Sequence, residues 1–324
     1  MKNILVFLLA LFLLHCGPQE EPPALYTIGI LQMNDAPTLN AARDGILETL
    51  KDNGLVDGEN IRLLIRNGSG ELLEVQKIAE EFISRQVDLI VALSTPSLQA
   101  ALHATREIPI VFCSVANPYL AGAGAAADDH LSNVTGVSSE GPIPQSLALL
   151  KEILPQTKRI GTLWTPSELN SNYYLERTRT EAAELDMEVI AVPIANSSEV
   201  LLSAQFLINK KIDAIFQISD NTINNAFEAL GQVAEENAIP LFGGFLYSTE
   251  LGAAAAQGWD FFDMGYKAGQ IALRIKKGES PEKIAFQYME KALLHINLEV
   301  AAKQGIEFPE AVLGRADKIL PEEE

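Results

Sequence analysis

Cysteine is nearly absent: 324 residues hold only Cys16 and Cys113, too few for a disulfide framework. Basic residues are scarce as well, 24 Lys and Arg against 43 Asp and Glu, for a formal net charge of −19. With no dense run of Lys or Arg, such a chain is repelled by phosphate backbones, which excludes nucleic-acid binding. The four histidines, His15, His103, His130 and His295, are scattered without metal-ligand spacing, so no metal is expected. Ready-made catalytic patterns are missing too. "GAGAAA" (122–127) lacks the third glycine of a dinucleotide fingerprint and does not directly follow a strand. "SPEK" (280–283) has Ser-x-x-Lys spacing but reads as a helix cap with proline at the first helical position. No serine sits in a nucleophile elbow. We therefore expect no catalytic residue, no cofactor and no enzyme.

No apolar run is long enough to cross a bilayer as a helix. The longest, Ile4 to Leu14, has the length of a secretory h-region, preceded by Lys2 and followed by His15 and Cys16. A cysteine there, followed by "GPQEEPPA", resembles the lipobox of bacterial lipoproteins, with lipid carried on Cys16 after cleavage. His15 departs from the small residue usual before that cysteine. Residues 1–16 are thus expected as a lipoprotein signal and 17–25 as a flexible tether to the membrane. Cys113 then has no partner for an intrachain disulfide, and behind "IPIVF" it reads as a small core residue.

What is present is alternation. "YTIGIL" (26–31), "IRLLI" (61–65), "LIVAL" (89–93) and "IPIVF" (108–112) are strand candidates. Amphipathic stretches at 39–54, 72–86 and 97–107 separate them. Strand–helix alternation of this kind builds a parallel sheet covered by helices on both faces. The pattern then returns. Ile28 to Ile160 spans 132 residues, Val87 to Ile212 spans 125, and "IPIV" at 108 to "IPLF" at 239 spans 131. Three landmarks in order at a nearly constant offset indicate a duplicated domain. The expected fold is α/β, two similar doubly wound parallel-sheet lobes joined by hinge strands. Residues 26–138 plus about 249–289 are assigned to lobe 1, and 139–248 plus about 290–320 to lobe 2.

Ligands of open parallel sheets bind beyond the carboxyl ends of the strands, where helix N-termini offer free N–H groups. Polar residues at those ends are the site candidates. The first copy offers Gln32, Asn34, Ser69, Ser94, Thr95, Ser97, Ser114 and Asn117. The second offers Thr165, Ser167, Asn170, Ser171, Asn196, Ser197, Asp220, Asn221 and Thr222. Thr95, Ser97, Asp220 and Asn221 would also serve as ordinary helix caps. Asp220 replaces Thr95 between the copies, and a lone acid in a neutral cleft needs a partner. A ligand ammonium, a nearby Lys or Arg, and a hinge contact all satisfy that need. Trp164, Trp259, Tyr119, Phe245 and Tyr247 are candidates to stack on a flat ligand, against ordinary packing as the alternative.

"IGILQ", "ARDGILETLKDNGLVDGENI", "VDLIVALSTPSLQAAL", "IPIVFCSVANP", "NVTGVS", "LLKEILPQTKRIGTLWTPSELNS" and "SDNT" together resemble the substrate-binding lipoproteins of ABC transporters, TrpX-like branch. The resemblance runs through "NLEVAAKQGIEFPEAVL" and so covers nearly the whole mature chain. It implies a Venus-flytrap, type I periplasmic-binding-protein fold, a monomer outside the cytoplasm, and an aromatic amino acid such as tryptophan, phenylalanine or tyrosine as solute. ABC permease and ATPase subunits would be the partners. Carried over by position, the binding residues are Gln32, Thr95, Ser97 and Asn117 from one lobe, and Asn170, Ser171, Asp220 and Asn221 from the other. Asn117 stands where Asp is common, Thr165 where Asn is common, and "GGFLYST" replaces an acidic loop. Closure is expected to turn on Val137–Glu140 and Phe245–Ser248. A sensory receptor of the same fold without a permease, and a two-lobed enzyme, are the other readings.

Overall fold

The computed structural model describes residues 25–322. The signal, the tether through Ala24 and Cys16 lie outside the described residues. The chain starts with β1 (Tyr26–Gln32), α1 (Pro37–Asp52), β2 (Ile61–Asn67), α2 (Leu72–Ser84), β3 (Leu89–Leu93), α3 (Thr95–Ala104), β4 (Ile110–Val115) and β5 (Val134–Ser138). It then repeats the scheme with α4 (Ile143–Ile153), β6 (Arg159–Trp164), α5 (Leu169–Glu184), β7 (Glu188–Pro193), α6 (Val200–Ile208) and β8 (Ala214–Gln217). A short α7 (Asn221–Asn224), α8 (Phe227–Glu236), β9 (Leu241–Gly243) and β10 (Ala255–Gly258) follow. The remainder is α9 (Phe261–Lys276), β11 (Gln287–Tyr288), β12 (Leu293–Asn297), α10 (Leu298–Lys303), α11 (Glu310–Leu313) and β13 (Lys318–Leu320).

Hydrogen bonding sorts these strands into two sheets. One runs β11-β5-β4-β3-β1-β2, the other β13-β12-β10-β9-β8-β6-β7. Stripped of the last three strands, both have the doubly wound order 2-1-3-4-5, so the duplication in the sequence is a duplication of topology. Register confirms the offsets: Ile28 pairs with Leu89 in one sheet, and Ile160 with Ala214 in the other. The first strand of each copy also carries a glycine for the same reason. A Cβ on Gly29 would overlap the Phe82 ring of α2, and one on Gly161 would overlap Ile212 and the Leu207 side chain of α6. Each copy thereby brings a helix side chain flat onto its central strand.

Every sheet is covered on both faces. In the first lobe Val75, Phe82, Leu98 and Leu102 pack on one face, while Ile46, Leu50, Met264 and Ile271 pack on the other. In the second, Leu147, Leu150, Leu175 and Ile296 form one layer, and Leu207, Phe227, Leu230 and Val233 the opposite one. At about 1.5–3 kcal/mol for each fully buried large apolar side chain, these layers carry the stability of the fold. Cys113 lies wholly inside the first, and burial pushes its thiol up to about 12, which makes it inert at neutral pH.

The tail corrects two sequence expectations. Residues from about 249 were assigned to lobe 1, but β10 pairs with β9 and β12 in the second sheet, so the chain crosses only after Gly258. The cause is pairing: "AAQG" has no strong strand pattern of its own and becomes a strand because two neighbours supply its hydrogen bonds. Phe245–Ser248 is likewise no hinge. It lies inside the second lobe, where the Ser248 hydroxyl donates to the Phe245 carbonyl and Phe245 packs edge-on against Phe227. The crossings are at 139–142, at Trp259–Asp260 and at 289–292. After the second crossing α9 docks on α1 through glycines. A Cβ on Gly45 or Gly265 would collide with backbone of the opposite helix, and one on Gly269 with Thr49.

Candidate functional site

Both sheets reverse their strand order between the first and third strands, at β1/β3 and at β6/β8. That is where an open α/β sheet leaves a crevice. The eight predicted residues all follow strand ends, and seven of them are buried; Asn117 is half-buried.

In the first lobe, Gln32 closes β1 and its Nε2 donates to the Asn34 carbonyl at 2.6 Å and to Asn40 Oδ1 at 2.7 Å. It braces the loop entering α1. Thr95 and Ser97 occupy the first turn of α3. Their hydroxyls make only long contacts: Thr95 Oγ1 accepts from the Ala116 amide at 3.4 Å, and Ser97 Oγ accepts from Ser94 Oγ at 3.4 Å. The N-cap residue Ser94 makes no side-chain cap bond. Its backbone, φ 93° and ψ 163°, lies in a region that glycine tolerates and other residues occupy at a cost of about 1–3 kcal/mol. Asn117 turns its Oδ1 to the Leu120 amide at 2.9 Å. This jaw is neutral, and the first turn of α3 points into it with the positive end of its dipole.

The second lobe is acidic. Asp220 is the N-cap of α7 and accepts from the Ile223 amide at 3.0 Å. The same carboxylate takes the Thr165 amide at 2.9 Å and the Thr165 hydroxyl at 3.0 Å. Capping and cleft roles therefore coincide in one residue. Ser171 Oγ accepts from the Thr165 amide at 2.9 Å, tightening the same loop. Among the described residues no Lys or Arg contributes to the environment of Asp220, whose neighbours are Glu168, Ser171, Ile223 and Thr165. Burial, and then the charge of Glu168, push its carboxyl up to about 7, against the lowering effect of Ser171, Ile223 and Thr165.

Glu168 is the residue that sequence reasoning missed. It is 1% exposed. Its Oε1 accepts from the Thr222 amide (3.1 Å) and hydroxyl (2.6 Å). Its Oε2 accepts from Asn170 Nδ2 (3.0 Å), from Asn221 Nδ2 (2.5 Å) and, at 3.4 Å, from the Asn221 amide. An acid at a helix start reads as a solvated partner of the dipole, which hid it. The signal was available in the repeat: at the offset of 132, Glu168 falls on Ala36, and both are the N-cap residues of equivalent helices.

The jaws meet. Asn34 Nδ2 of the first lobe donates to the Asn221 carbonyl of the second at 2.8 Å, and Leu169 packs into the first lobe's apolar layer. At the crossings, Trp259 Nε1 donates to the Glu140 carbonyl (2.8 Å), Tyr173 to Glu140 Oε1 (2.6 Å) and Tyr174 to the Ser139 carbonyl (2.7 Å). A narrow cavity of about 20 Å³ is lined by Tyr174, Phe216, Trp259 and Phe261 together with Ser139, Ser219 and Gly244. None of the eight predicted residues lines it. Of the aromatic candidates only Trp259 reaches it. Trp164 packs in the second lobe's core, Tyr119 against Phe286, Phe245 against Phe227, and Tyr247 is largely exposed. Tyr174, Phe216 and Phe261 take the places expected of the others.

Two duplicated α/β lobes, three crossings and polar jaws in contact define a two-lobed α/β fold with a crevice between its halves. Residues 27–320 match the family of ABC transporter substrate binding proteins, and the chain belongs to that family. The tyrosine-binding protein of Clostridioides difficile is 35% identical over 270 residues, 83% of this chain and 78% of that one. The structure of an ABC domain in complex with L-Trp from Streptococcus pneumonia is 26% identical, with a TM-score of 0.87 over 92% of this chain and 100% of that one. A ligand-free, open substrate binding protein from Clostridium difficile is 32% identical but gives 0.67 over 91% and 99%. Superposition is thus better on the complex than on the open protein, despite lower identity. With the Asn34–Asn221 bond, this places the lobes in a closed arrangement.

Proposed function

We propose that this chain is the extracytoplasmic receptor of an ABC importer and that its solute is an aromatic amino acid, which it hands to a membrane permease. The observation that carries the reading is the polarity of the two jaws. One lobe holds buried acids, the other a helix N-terminus dressed with hydroxyls, and an aromatic-lined space lies at the crossings between the lobes. A zwitterion fits that field in one orientation. Its carboxylate sits at Thr95 and Ser97 on the first turn of α3, where N–H groups and the dipole favour an anion. Its ammonium sits on the second lobe among Asn170, Ser171, Asp220 and Asn221. Gln32 and Asn117 brace the loops of the first jaw. The side chain is assigned to the space lined by Tyr174, Phe216, Trp259 and Phe261. In this arrangement that space is about 20 Å³, room for about one water, and must open to admit a ring. The tyrosine-binding and tryptophan-complexed relatives support the same solute class. Membership of the family supports delivery to a permease, and the amino-terminal pattern supports attachment through a lipid on Cys16.

A thermal-shift screen against amino acids, nucleosides and sugars tests this. A ligand at 100 times its dissociation constant adds about 2.7 kcal/mol to stability, which a melting curve resolves easily. Stabilisation by tyrosine, tryptophan or phenylalanine is expected. A clear shift with a sugar or nucleoside and none with any amino acid overturns the assignment.

A further inference from the structure

We infer that Glu168 is the residue that makes this receptor demand an amine on its ligand. The inference rests on the reading of the trap as an amino-acid receptor and goes beyond it by moving the charge recognition from Asp220 to a neighbour.

A carboxylate taken out of water is costly unless a cation or many donors compensate it. Glu168 is compensated only by neutral donors: Thr222, Asn170 and Asn221. Asn170, 94% buried, spends its Nδ2 on Glu168 and leaves its Oδ1 with no hydrogen-bond partner. A buried carbonyl without a donor costs about 1–3 kcal/mol. A carboxylate and an orphaned carbonyl joined by one amide lack the same thing, a positively charged donor with more than one hydrogen. A primary ammonium supplies three.

Two further facts separate Glu168 from Asp220. The Ile223 amide holds Asp220 as the cap of its own helix, and the Thr165 amide and hydroxyl tie it to the loop after β6. Glu168 also accepts from the Thr222 and Asn221 amides, but its Oε2 takes two side-chain amides, which can rotate to admit a ligand. The donors to Asp220, by contrast, are backbone amides and a hydroxyl. The scaffold, moreover, does not require an acid here. The equivalent N-cap in the other copy is Ala36, fully buried, so a helix start in this fold packs without one. Asn221 also joins Glu168 to closure, since its side chain holds the carboxylate while its carbonyl receives Asn34 from the opposite lobe.

The test compares ligands as well as variants. L-Phenylalanine, L-tyrosine and L-tryptophan are titrated calorimetrically into the purified protein, and the tightest is compared with its des-amino analogue, for phenylalanine 3-phenylpropionate. The wild type is expected to favour the amino acid by 100-fold or more. Glu168→Gln should cut that ratio at least tenfold, whereas a merely structural Glu168 would weaken both ligands alike and leave the ratio standing. Asn170→Ala, which removes the orphaned carbonyl, should cut it as well and serves if Glu168→Gln does not fold. An unchanged ratio in whichever variant folds overturns the inference while the amino-acid reading survives. No binding of any amino acid by the wild type overturns both.

Discussion

At the end of β3 the chain turns through Ser94 and enters α3 with two hydroxyls and a strained backbone. At the end of β8 it turns through Asp220 and enters α7 with a carboxylate that three protein donors hold in place. The strands before these turns are copies, paired in the same register to the same partner strand. The loops differ in charge, and the helices after them in length, ten residues in α3 and four in α7. The comparison teaches that duplication supplied a cleft with matching walls, and that asymmetry of charge was added where it disturbs no core residue. A symmetric trap would hold a zwitterion poorly, because both of its ends would meet the same field. One neutral, dipole-positive jaw and one acidic jaw remove that degeneracy.

The comparison can be broken from either side. Asp220→Ala strips the partner from two amides and a hydroxyl and removes the cap of α7. It should cost about 2–4 kcal/mol in denaturant unfolding. Thr95→Val, at a hydroxyl with one long contact, should cost under about 1 kcal/mol. Equal costs would show that the two jaws are alike in structural demand. Thr95→Asp instead makes the neutral jaw acidic, setting a third carboxylate against Glu168 and Asp220. Affinity for the amino acid should fall about 100-fold, roughly 2.7 kcal/mol, as read by calorimetry.

A pH series sharpens the comparison without mutation. The Asp220 carboxyl, raised by burial and by Glu168 from its ordinary 3.8 to about 7, binds protons more tightly in the folded protein. Its contribution to the stability of the empty protein is complete below about 3.8 and lost as pH rises through about 7. Melting curves of Asp220→Asn should lack that loss, and the difference from wild type isolates it from the other carboxylates. Ligand affinity should run the opposite way and weaken as pH falls below about 7, because protonation removes charge from the acidic jaw. Affinity that is flat from pH 5 to 8 would contradict this placement of the ammonium. Smallest is Ser94→Gly. Relief of the φ 93° backbone should raise stability slightly, by about 1 kcal/mol or less after the entropy cost of glycine, as read in denaturant unfolding, while loosening the hydroxyl jaw.

Much of the scaffold was legible because it rests on local pattern. "LIVAL" is β3 to the residue, and the amphipathic stretch 72–86 contains α2. Less legible were elements that exist only through pairing. β9, β10 and β11 are three, four and two residues long, too short to carry a period of their own. That is why the crossing was expected too early and a buried turn at Phe245–Ser248 was read as a hinge. In the site, the rule that polar residues gather at strand ends gave a longer set of candidates, and the family resemblance narrowed it to the eight. Glu168 escaped that rule, as it sits at the start of a helix, where an acid has an ordinary explanation. Tyr174, Phe216 and Phe261 escaped it too, since an aromatic in a helix or strand looks like core until a cavity is seen beside it.

The order of residues alone therefore determined two copies of one α/β unit, the strand ends at which polar groups gather, and an acid in one copy where the other has none. Those are properties of spacing and of residue chemistry, and they need no neighbour. Tertiary structure decided where the chain crosses between lobes, which aromatic rings share a cavity, and that Glu168 is buried with Asn170 and Asn221 around it. Each of these depends on contacts between segments far apart in sequence. Whether a carboxylate is a surface charge or half of a binding site is settled by how much water remains around it, and only the packed lobes remove that water.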